Sequence, residues 1–454
     1  MLNRFAILGA AGDLTSRLLM PGLAELKRED KLPDDFEVIG VGLDDLTTES
    51  FQKHIAEALA EFADHVPQKL RDDLVSRLTY VKADVTNAEA LKGALEPNEG
   101  PLVVYLALPS PIFKPAVEAI TAAGIGNDSR IVIEKPHGVD LEDTKAIDAL
   151  LHGHFPESSV FRMDHFLGKQ TVQNVLGLRF ANHLFEPLWN AKHIESVLIR
   201  WDESLTLEGR ASYYDRAGAL RDMLQNHLLQ ILCMIAMEPP DSLGADDLRD
   251  RKVEVLHAVH ELSPAEVKAK TVRARYTAGE IEGRKVPAYV EEDGVDPKRD
   301  TETFAQVTFT LDSWRWVGVP FVLRSGKALE PHPPEVTITF RDVPQLNLWQ
   351  GPKPRKNTLR LRFKPDELSL DINLNGLGDP FVLEPAELDL TLAPQEMTAY
   401  ARLLLDILEG DTTLSIRADE AEEAWRIMTP ILEAWKNGEV PMQEYAAGSD
   451  FEPS

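Results

Sequence analysis

Nine residues in the middle of the chain combine three kinds of ionisable side chain. Residues 162–170 read RMDHFLGKQ, so Asp164, His165 and Lys169 fall within six positions. His165 and Lys169 are four apart, and residues at that spacing share one face of a helix. A lysine supplies a point charge and a histidine a second donor, a pair suited to holding a phosphate. The sequence therefore predicts an anion site here, provided that a helix has begun by His165.

A second histidine, His227, lies in an apolar stretch at 217–237 that is typical of a helix. An imidazole can take the proton of a C–OH group while a nicotinamide accepts the hydride. Asp164 lies off the face that would be shared by His165 and Lys169, and a carboxylate there can orient a histidine from another segment. We therefore predict His227 as the general base and Asp164 as its partner. A hydrogen-bonded core histidine is the alternative interpretation of His227.

A third place, EKPHG (134–138), puts Lys135 at the end of a predicted strand. Open α/β sheets bind their ligands at the carboxyl ends of their strands. Lys135 is therefore a candidate ligand contact, with an ordinary surface lysine as the alternative.

The elements that must position these residues alternate regularly through the first third of the chain. Wholly apolar strands separated by helices are typical of a parallel sheet that is covered on both faces. The predicted strands are 4–10, 36–42, 78–85, 101–109 and 130–136, and the predicted helices are 15–27, 47–62, 88–95, 111–123 and 140–151. Pro21 is expected to interrupt the first helix. We predict a Rossmann-like, doubly wound α/β dinucleotide-binding domain over residues 1–165.

After about residue 165 the pattern becomes that of an α+β domain. Strands in which apolar and polar residues alternate predict a large, mostly antiparallel sheet. The alternating runs are 194–204, 302–311, 320–327, 335–340, 358–363 and 368–374, and helical patterns lie at 169–190, 217–237, 395–408 and 418–437. Residues 166–454 are predicted to form a domain for substrate binding and oligomerisation.

The turn after the first strand carries the glycines that a dinucleotide site needs. Gly9 and Gly12 stand between strand and helix, where glycine lets the backbone approach a pyrophosphate and the helix offers its N–H groups. The spacing is G-x-x-G, so the strand–turn–helix context carries this prediction. After the second strand, Asp44 could accept a hydrogen bond from a ribose 2′-hydroxyl and would repel a 2′-phosphate, which favours NAD over NADP. The alternative is that Asp44 and Asp45 belong only to the turn before the next helix.

Composition limits the possible partners. The chain has 454 residues, of which 43% are hydrophobic and 27% charged, and no apolar run reaches the length of a membrane span. Its net charge of −27 opposes binding to nucleic acid or to anionic membranes. The single cysteine, Cys233, excludes an intramolecular disulfide and fits a reducing cytoplasm. The 12 histidines show no ligand-type spacing, so no metal is predicted.

These segments resemble the glucose-6-phosphate dehydrogenase family over nearly the whole chain. The similar segments are GAAGDLTSRLL, EKPHG, RMDHFLGKQTVQNVLGLRFAN, RASYYDRAGALRDMLQNHLLQ, WRWVGVPFVLRSGKAL and YAAGS. The Asp-His-aromatic-Leu-Gly-Lys signature together with a later Gln-Asn-His is far more specific than a nucleotide turn alone. The resemblance implies oxidation of glucose 6-phosphate at C1 to 6-phosphogluconolactone, the first step of the oxidative pentose phosphate pathway. It also implies NAD or NADP as cofactor and a cytoplasmic homodimer or homotetramer joined through the sheet of the second domain.

The resemblance further implies a role for individual residues. His227 would be the base, Asp164 its partner, and His165 and Lys169 the phosphate contacts. Further implied contacts are Lys135 between sugar and nicotinamide, Glu203 and Asp215 at sugar hydroxyls, Lys327 at the substrate, and Gly9, Gly12, Asp13 and Leu14 at the nucleotide.

Four positions depart from the family pattern. Leu18 and Phe166 stand where a lysine and a tyrosine are usual, and a second lysine is replaced near His332. These changes reduce the number of side chains that could contact the phosphate and the sugar. Leu43 stands where an arginine usually receives the 2′-phosphate of NADP, which agrees with the NAD preference argued from Asp44. The alternatives are a dehydrogenase of a different sugar phosphate and a non-catalytic nucleotide-sensing protein.

Overall fold

The computed structural model describes residues 1–96, 100–344, 353–376, 378 and 381–453. It divides into two compact units. The first comprises Met1–Lys169, Pro240–Asp250 and Gln395–Glu422, and the second comprises Gln170–Pro239, Arg251–Pro394 and Glu423–Ser454. Two segments from later in the chain thus belong to the first unit.

A six-stranded parallel sheet forms the centre of the first unit. Its strands are β1 (Arg4–Leu8), β2 (Glu37–Gly42), β3 (Leu78–Lys82), β4 (Val103–Leu106), β5 (Arg130–Ile133) and β6 (Val160–Arg162). Their order is β3-β2-β1-β4-β5-β6, and every neighbouring pair is parallel. The chain reverses its direction of travel across the sheet between β1 and β4, and such a switch point is where doubly wound sheets bind ligands. The predicted fold of this part of the chain is confirmed.

Helices bury both faces of this sheet. The α-helices of the described residues are α1 (Met20–Arg28), α2 (Thr48–Phe62), α3 (Gln68–Ser76), α4 (Ala88–Leu95), α5 (Ser110–Ala122), α6 (Leu141–His152), α7 (Gln170–Phe180), α8 (Ala211–Ala219), α9 (Leu229–Ala236), α10 (Ala245–Ala258), α11 (Pro264–Lys270), α12 (Ala399–Glu409) and α13 (Ala418–Lys436). Alternate residues of β1 point to opposite faces. Phe5 and Ile7 belong to the core that includes α1, α2 and α12, whereas Ala6 and Leu8 belong to the core that includes α4, α5 and α6. Among the described residues, no helix combines the length and apolar character needed to cross a bilayer.

The predicted interruption at Pro21 is wrong. Residues Thr15–Leu19 form a π-helical turn, and α1 continues directly from it. Pro21 is the second residue of α1, and the helical backbone passes through it without a break.

A nine-stranded mixed sheet dominates the second unit. Its strands are β7 (Ile194–Asp202), β8 (Thr271–Thr277), β11 (Phe304–Phe309), β12 (Phe321–Gly326), β13 (Glu335–Phe340), β14 (Thr358–Phe363), β15 (Asp366–Asn375), β16 (Leu383–Thr391) and β17 (Met442–Ala446), while β9 (Gly279–Ile281) and β10 (Arg284–Val286) form a separate hairpin. The order is β16-β15-β14-β13-β7-β12-β11-β8-β17. Pairs β7–β12 and β8–β17 are parallel and the other neighbours are antiparallel. The prediction of a mostly antiparallel sheet is confirmed.

The helical regions of the second unit are more broken than the sequence pattern predicts. The helix predicted at 169–190 begins at Gln170 and ends at Phe180. The stretch predicted at 217–237 is helical, but it consists of α8, a π-helical segment over Leu220–Leu228, and α9. Gly218 separates the first two pieces with a φ of 69°. A Cβ at Gly218 would lie 2.3 Å from a side-chain oxygen of Glu302, and the positive φ favours glycine at this position.

Candidate active site

The glycine turn follows β1 at the switch point of the parallel sheet. Gly9 has a φ of 87°, and its N–H donates to Val41 O at 2.8 Å. A Cβ at Gly9 would lie 2.4 Å from Ala107 O, which excludes every other residue. Gly12 N–H donates to Gly9 O at 3.2 Å, so the two glycines close one tight turn. This turn leads directly into the first helix, and helix N-termini of this kind bind phosphate groups.

The first helical residues follow the turn directly. Asp13 and Gly12 are exposed, Leu14 is half-buried, and the π-helical turn begins at Thr15. Leu18, one of the departures from the family pattern, lies on this turn with 40% of its surface exposed. The predicted nucleotide contacts Gly9, Gly12, Asp13 and Leu14 are thus contiguous in the structure, and an apolar side chain lies beside them at position 18.

The loop after β2 presents the two side chains on which the cofactor prediction rests. Leu43 is 67% exposed, and Asp44 is exposed beside it. A hydrogen bond from β3 holds the backbone of this loop, because the Tyr80 hydroxyl donates to Asp44 O at 3.2 Å. Burial raises the pKa of the Tyr80 hydroxyl, which keeps it a donor at neutral pH. The loop offers a carboxylate and an apolar side chain where a 2′-phosphate would require a cation.

Lys135 follows β5 and neighbours a buried carboxyl group. The Tyr105 hydroxyl donates to Glu134 Oε1 at 2.5 Å, and the Tyr400 hydroxyl donates to the same oxygen at 3.3 Å. Burial raises the pKa of Glu134, and the two hydroxyls and the Lys135 ammonium oppose that rise. Lys135 thus follows a side chain that is held in place, at the carboxyl end of the sheet.

Residues 165–168 form a turn and not the start of a helix. The Asp164 carboxylate, 1% exposed, accepts from Phe166 N–H at 2.9 Å. Because α7 begins only at Gln170, the expected helix over His165 and Lys169 is wrong. The His165 ring instead stacks on Tyr400 with ring centres 5.7 Å apart. Their joint contact with a phosphate stays a prediction.

In the second unit, Glu203 and Lys327 meet although they are far apart in sequence. The parallel strands β7 and β12 pair Asp202 with Gly326, so the next residue on each strand emerges at the same carboxyl end. Lys327 Nζ lies 2.6 Å from Glu203 Oε2, and both side chains are largely buried. Lys327 also lies 5.1 Å from the centre of the Tyr214 ring. The structure thus brings together two of the predicted sugar contacts.

Asp215 lies in a different environment. Its carboxylate, in a residue that is 1% exposed, accepts from the Tyr289 hydroxyl at 2.8 Å, from Asp296 N–H at 3.1 Å and from Arg299 at 2.5 Å. A contact with a sugar hydroxyl would require Asp215 to exchange one of these partners, and that role stays a prediction.

His227 is 1% exposed and lies in the π-helical segment. In a π-helix the hydrogen bonds join residues five apart, so Asp222 lies one turn before His227. The Asp222 carboxylate accepts from the Tyr213 hydroxyl at 3.1 Å. Burial raises the pKa of the Tyr214 hydroxyl, and the charges of Asp222 and Glu203 add to that rise. Asp222 is therefore a candidate sugar contact that a helical period of 3.6 residues did not reveal.

These features fit a nicotinamide cofactor in the first unit. The glycine turn lies between the first strand and the first helix, the position at which dinucleotide-binding folds hold a pyrophosphate, and Asp44 can accept from a ribose hydroxyl. The second unit supplies a buried histidine together with carboxylates and a lysine. Fold and residues together define a nicotinamide-dependent oxidoreductase.

Comparison with known proteins identifies the family. Residues 6–174 match the family model described as glucose-6-phosphate dehydrogenase, NAD binding domain, and residues 176–453 match that of glucose-6-phosphate dehydrogenase, C-terminal domain. The chain is 42% identical to a glucose-6-phosphate 1-dehydrogenase of Treponema pallidum, over 98% of this chain and 90% of the relative. It is also 42% identical to that of Gluconobacter oxydans, over 98% and 93%.

Solved structures agree. A structure described as glucose-6-phosphate dehydrogenase in complex with its substrate glucose-6-phosphate is similar with a TM-score of 0.89 and 30% identity, over 99% of this chain and 95% of that chain. Glucose-6-phosphate 1-dehydrogenase from Mycobacterium avium gives a TM-score of 0.86 and 34% identity, over 98% and 94%. The chain belongs to the glucose-6-phosphate dehydrogenase family. It is an oxidoreductase that acts on a CH–OH group.

Proposed function

We propose that the chain oxidises glucose 6-phosphate at C1 to 6-phosphogluconolactone, the opening reaction of the oxidative pentose phosphate pathway. The observation that carries the proposal is the likeness, along nearly the whole chain, to a family member solved with glucose 6-phosphate. The buried His227 and the paired Glu203 and Lys327 supply the residue types that this reaction needs.

The proposed chemistry divides among residues of this chain. A bound nicotinamide supplies the acceptor for the hydride that leaves C1. His227 removes the proton of the C1 hydroxyl, and its burial keeps bulk water from that proton. Asp164 is proposed as the partner that orients the His227 ring and stabilises its charged form. Lys135 is proposed to position the sugar.

The remaining substrate contacts follow the same proposal. His165 and Lys169 hold the phosphate, and Glu203 and Lys327 bind sugar hydroxyls. Asp222 is proposed as a further hydroxyl contact, because it lies one π-helical turn before His227.

The cofactor is proposed to be NAD in preference to NADP. Asp44 offers an acceptor for a ribose 2′-hydroxyl, and the exposed Leu43 offers no charge to a 2′-phosphate. We expect kcat/KM to be higher with NAD than with NADP when glucose 6-phosphate is the substrate. A large advantage for NADP would contradict this part of the proposal.

The base is tested by His227→Asn, with His193→Asn as a matched control. His193 is exposed at the start of β7, so its replacement should leave turnover unchanged. Loss of a general base should lower kcat by about 10²–10⁴. Near-normal turnover by the His227 variant would refute the mechanism, and absence of turnover in the unaltered chain would favour a nucleotide-sensing protein.

The substrate is tested by a panel of sugars. Glucose 6-phosphate, glucosamine 6-phosphate, galactose 6-phosphate and glucose are compared by kcat/KM. We expect glucose 6-phosphate to have the highest kcat/KM. Lys169→Gln should lower the ratio of kcat/KM for glucose 6-phosphate to that for glucose. If glucose and glucose 6-phosphate give the same kcat/KM, the roles of His165 and Lys169 are wrong. A higher kcat/KM for another sugar phosphate would identify a different dehydrogenase.

A homodimer or homotetramer joined through the second unit's sheet is also proposed. Leu388 and Leu390 of the edge strand β16 are 55% and 56% exposed, and apolar side chains grouped on a surface often mark an interface. Leu388→Glu should lower the mass measured by light scattering, and an unchanged oligomeric mass would contradict the assignment of this edge. A cytoplasmic location is proposed from the single, buried Cys233.

A further inference from the structure

We infer that Asp45 determines cofactor specificity, and that it does so by occupying Lys82. The inference rests on the proposed preference for NAD and names a second determinant of it. Lys82 Nζ lies 2.9 Å from Asp45 Oδ1. The two residues belong to neighbouring elements, since Lys82 is the last residue of β3 and Asp45 lies in the loop after β2.

The parallel pairing of β2 and β3 places this cation beside the ribose end of the sheet. Lys82 is in register with Gly42, the last residue of β2. Side chains two apart on a strand share a face, so Lys82 lies on the same face as Tyr80. The Tyr80 hydroxyl reaches Asp44 O at 3.2 Å, which shows that this face is turned toward the loop. A lysine therefore lies next to the loop that would receive the ribose 2′ position.

A 2′-phosphate needs such a cation. The phosphate of NADP is an anion whose recognition depends on a positively charged side chain near the end of β2. Lys82 has the required charge, but its ammonium group is paired with the Asp45 carboxylate. A 2′-hydroxyl is neutral and does not need that cation.

The exposure of the pair separates this role from a structural one. The Lys82 and Asp45 side chains are 53% and 97% exposed. Ion pairs so open to water contribute little to stability and weaken with salt. Loss of Asp45 should therefore leave the fold intact while Lys82 becomes available to an anion. The predicted consequence is a change in cofactor preference that depends on ionic strength.

The test compares Asp45→Asn, Lys82→Met and the double variant, with Asp34→Asn as the control. Asp34 is exposed and precedes β2, so it loses the same charge at the opposite end of that strand. The measurements are kcat/KM for NAD and for NADP with glucose 6-phosphate, and the Kd of each dinucleotide by fluorescence titration without sugar, at low and at high salt. Asp45→Asn should raise the NADP-to-NAD ratio by about three- to tenfold, the size expected for exposed charges in water. Asp34→Asn should leave the ratio unchanged.

The double variant decides whether Lys82 carries the effect. The gain should disappear in Asp45→Asn/Lys82→Met, and it should shrink at high salt in the single variant. An unchanged ratio in Asp45→Asn, or a gain that survives the loss of Lys82, would overturn the inference. The unaltered chain tests the proposed function separately: absence of turnover with glucose 6-phosphate defeats that function, and a preference for NADP defeats the NAD assignment.

Discussion

Replacement of Asp406 by asparagine is expected to stabilise the protein at neutral pH. Asp406 lies on α12 and is 2% exposed. Its Oδ2 atom has no hydrogen-bond partner among the described residues, whereas Arg402 Nη2 lies 2.7 Å from Oδ1. Burial raises the pKa of Asp406 to about 7, because the lost hydration outweighs the attraction of Arg402.

The pKa fixes both the sign and the size of the effect. Below the ordinary pKa of 3.8 the carboxyl group is protonated in the folded and the unfolded chain, and it costs nothing. As the pH rises from about 4 to about 7, the unfolded chain releases the proton first, so stability falls. Each tenfold change in proton affinity is worth about 1.4 kcal/mol, which gives a loss of about 4 kcal/mol once the pH exceeds 7. Asparagine has no proton to lose, so the variant should regain part of the lost stability. The gain is reduced because the attraction between the Asp406 carboxylate and Arg402 is lost.

The assay must report on the first unit. The six tryptophans in the described part of the chain belong to the second unit, so their fluorescence is not a local probe of α12. Urea unfolding followed by far-UV circular dichroism, with hydrogen exchange of peptides from α12, is therefore measured at pH 5, 6, 7 and 8. We expect Asp406→Asn to be about 1–3 kcal/mol more stable at pH 8 and nearly unchanged at pH 5.

A matched control removes one charge from an exposed helical position. Glu118 on α5 is exposed, and Glu118→Gln should leave the pH dependence as it is. Asp406→Asn that is destabilised equally at every pH would refute the reasoning, because it would mean that the ionised carboxylate is favoured over a neutral side chain. Equal pH slopes in both variants would refute the raised pKa.

Three further changes test the candidate site. Lys327→Met should raise KM for glucose 6-phosphate by about tenfold or more, since it leaves Glu203 without its partner at 2.6 Å; an unchanged KM would remove both residues from the substrate site. Asp222→Asn keeps the shape of the side chain and loses its charge, so KM for the sugar should rise while KM for NAD stays constant in the same steady-state assay. Gly9→Ala should lower NAD affinity by at least about tenfold in a fluorescence titration, because a Cβ would clash with Ala107 O and a positive φ is strained for alanine.

Five of the six strands of the parallel sheet could be predicted because they are largely apolar runs, whereas β6, with only three residues, was not among the predicted strands. RFAIL in β1 and VVYL in β4 are buried at every position. The edge strand β16, LEPAELDLT, was missed because it contains a proline and is exposed along most of its length. Residues 387–392 do alternate between polar and apolar, but the proline at position 385 lies inside the strand and argues against one. Its pairing with β15 is decided by tertiary structure.

The sequence indicated the residue types of the site more reliably than their geometry. Glu203 and Lys327 are far apart in sequence, and the parallel pairing of β7 and β12 alone brings them together. The family resemblance named both, but no spacing rule could have paired them. His165 and Lys169 have a helical spacing, yet the Asp164 carboxylate holds Phe166 N–H in a turn that delays the helix to residue 170.

The two π-helical segments of the described chain explain why the helical pattern of the sequence did not reveal Asp222. One lies beside the glycine turn, over Thr15–Leu19, and the other carries His227, over Leu220–Leu228. A π-helical turn has poorer backbone geometry than an α-helical one and is retained mostly where it places functional side chains. It aligns residues five apart, so Asp222 and His227 share a face that a period of 3.6 would separate. Local sequence rules fail where function selects an unusual backbone. The two failures are the interruption predicted at Pro21 and the missed Asp222, and both fall on helical segments of the candidate site.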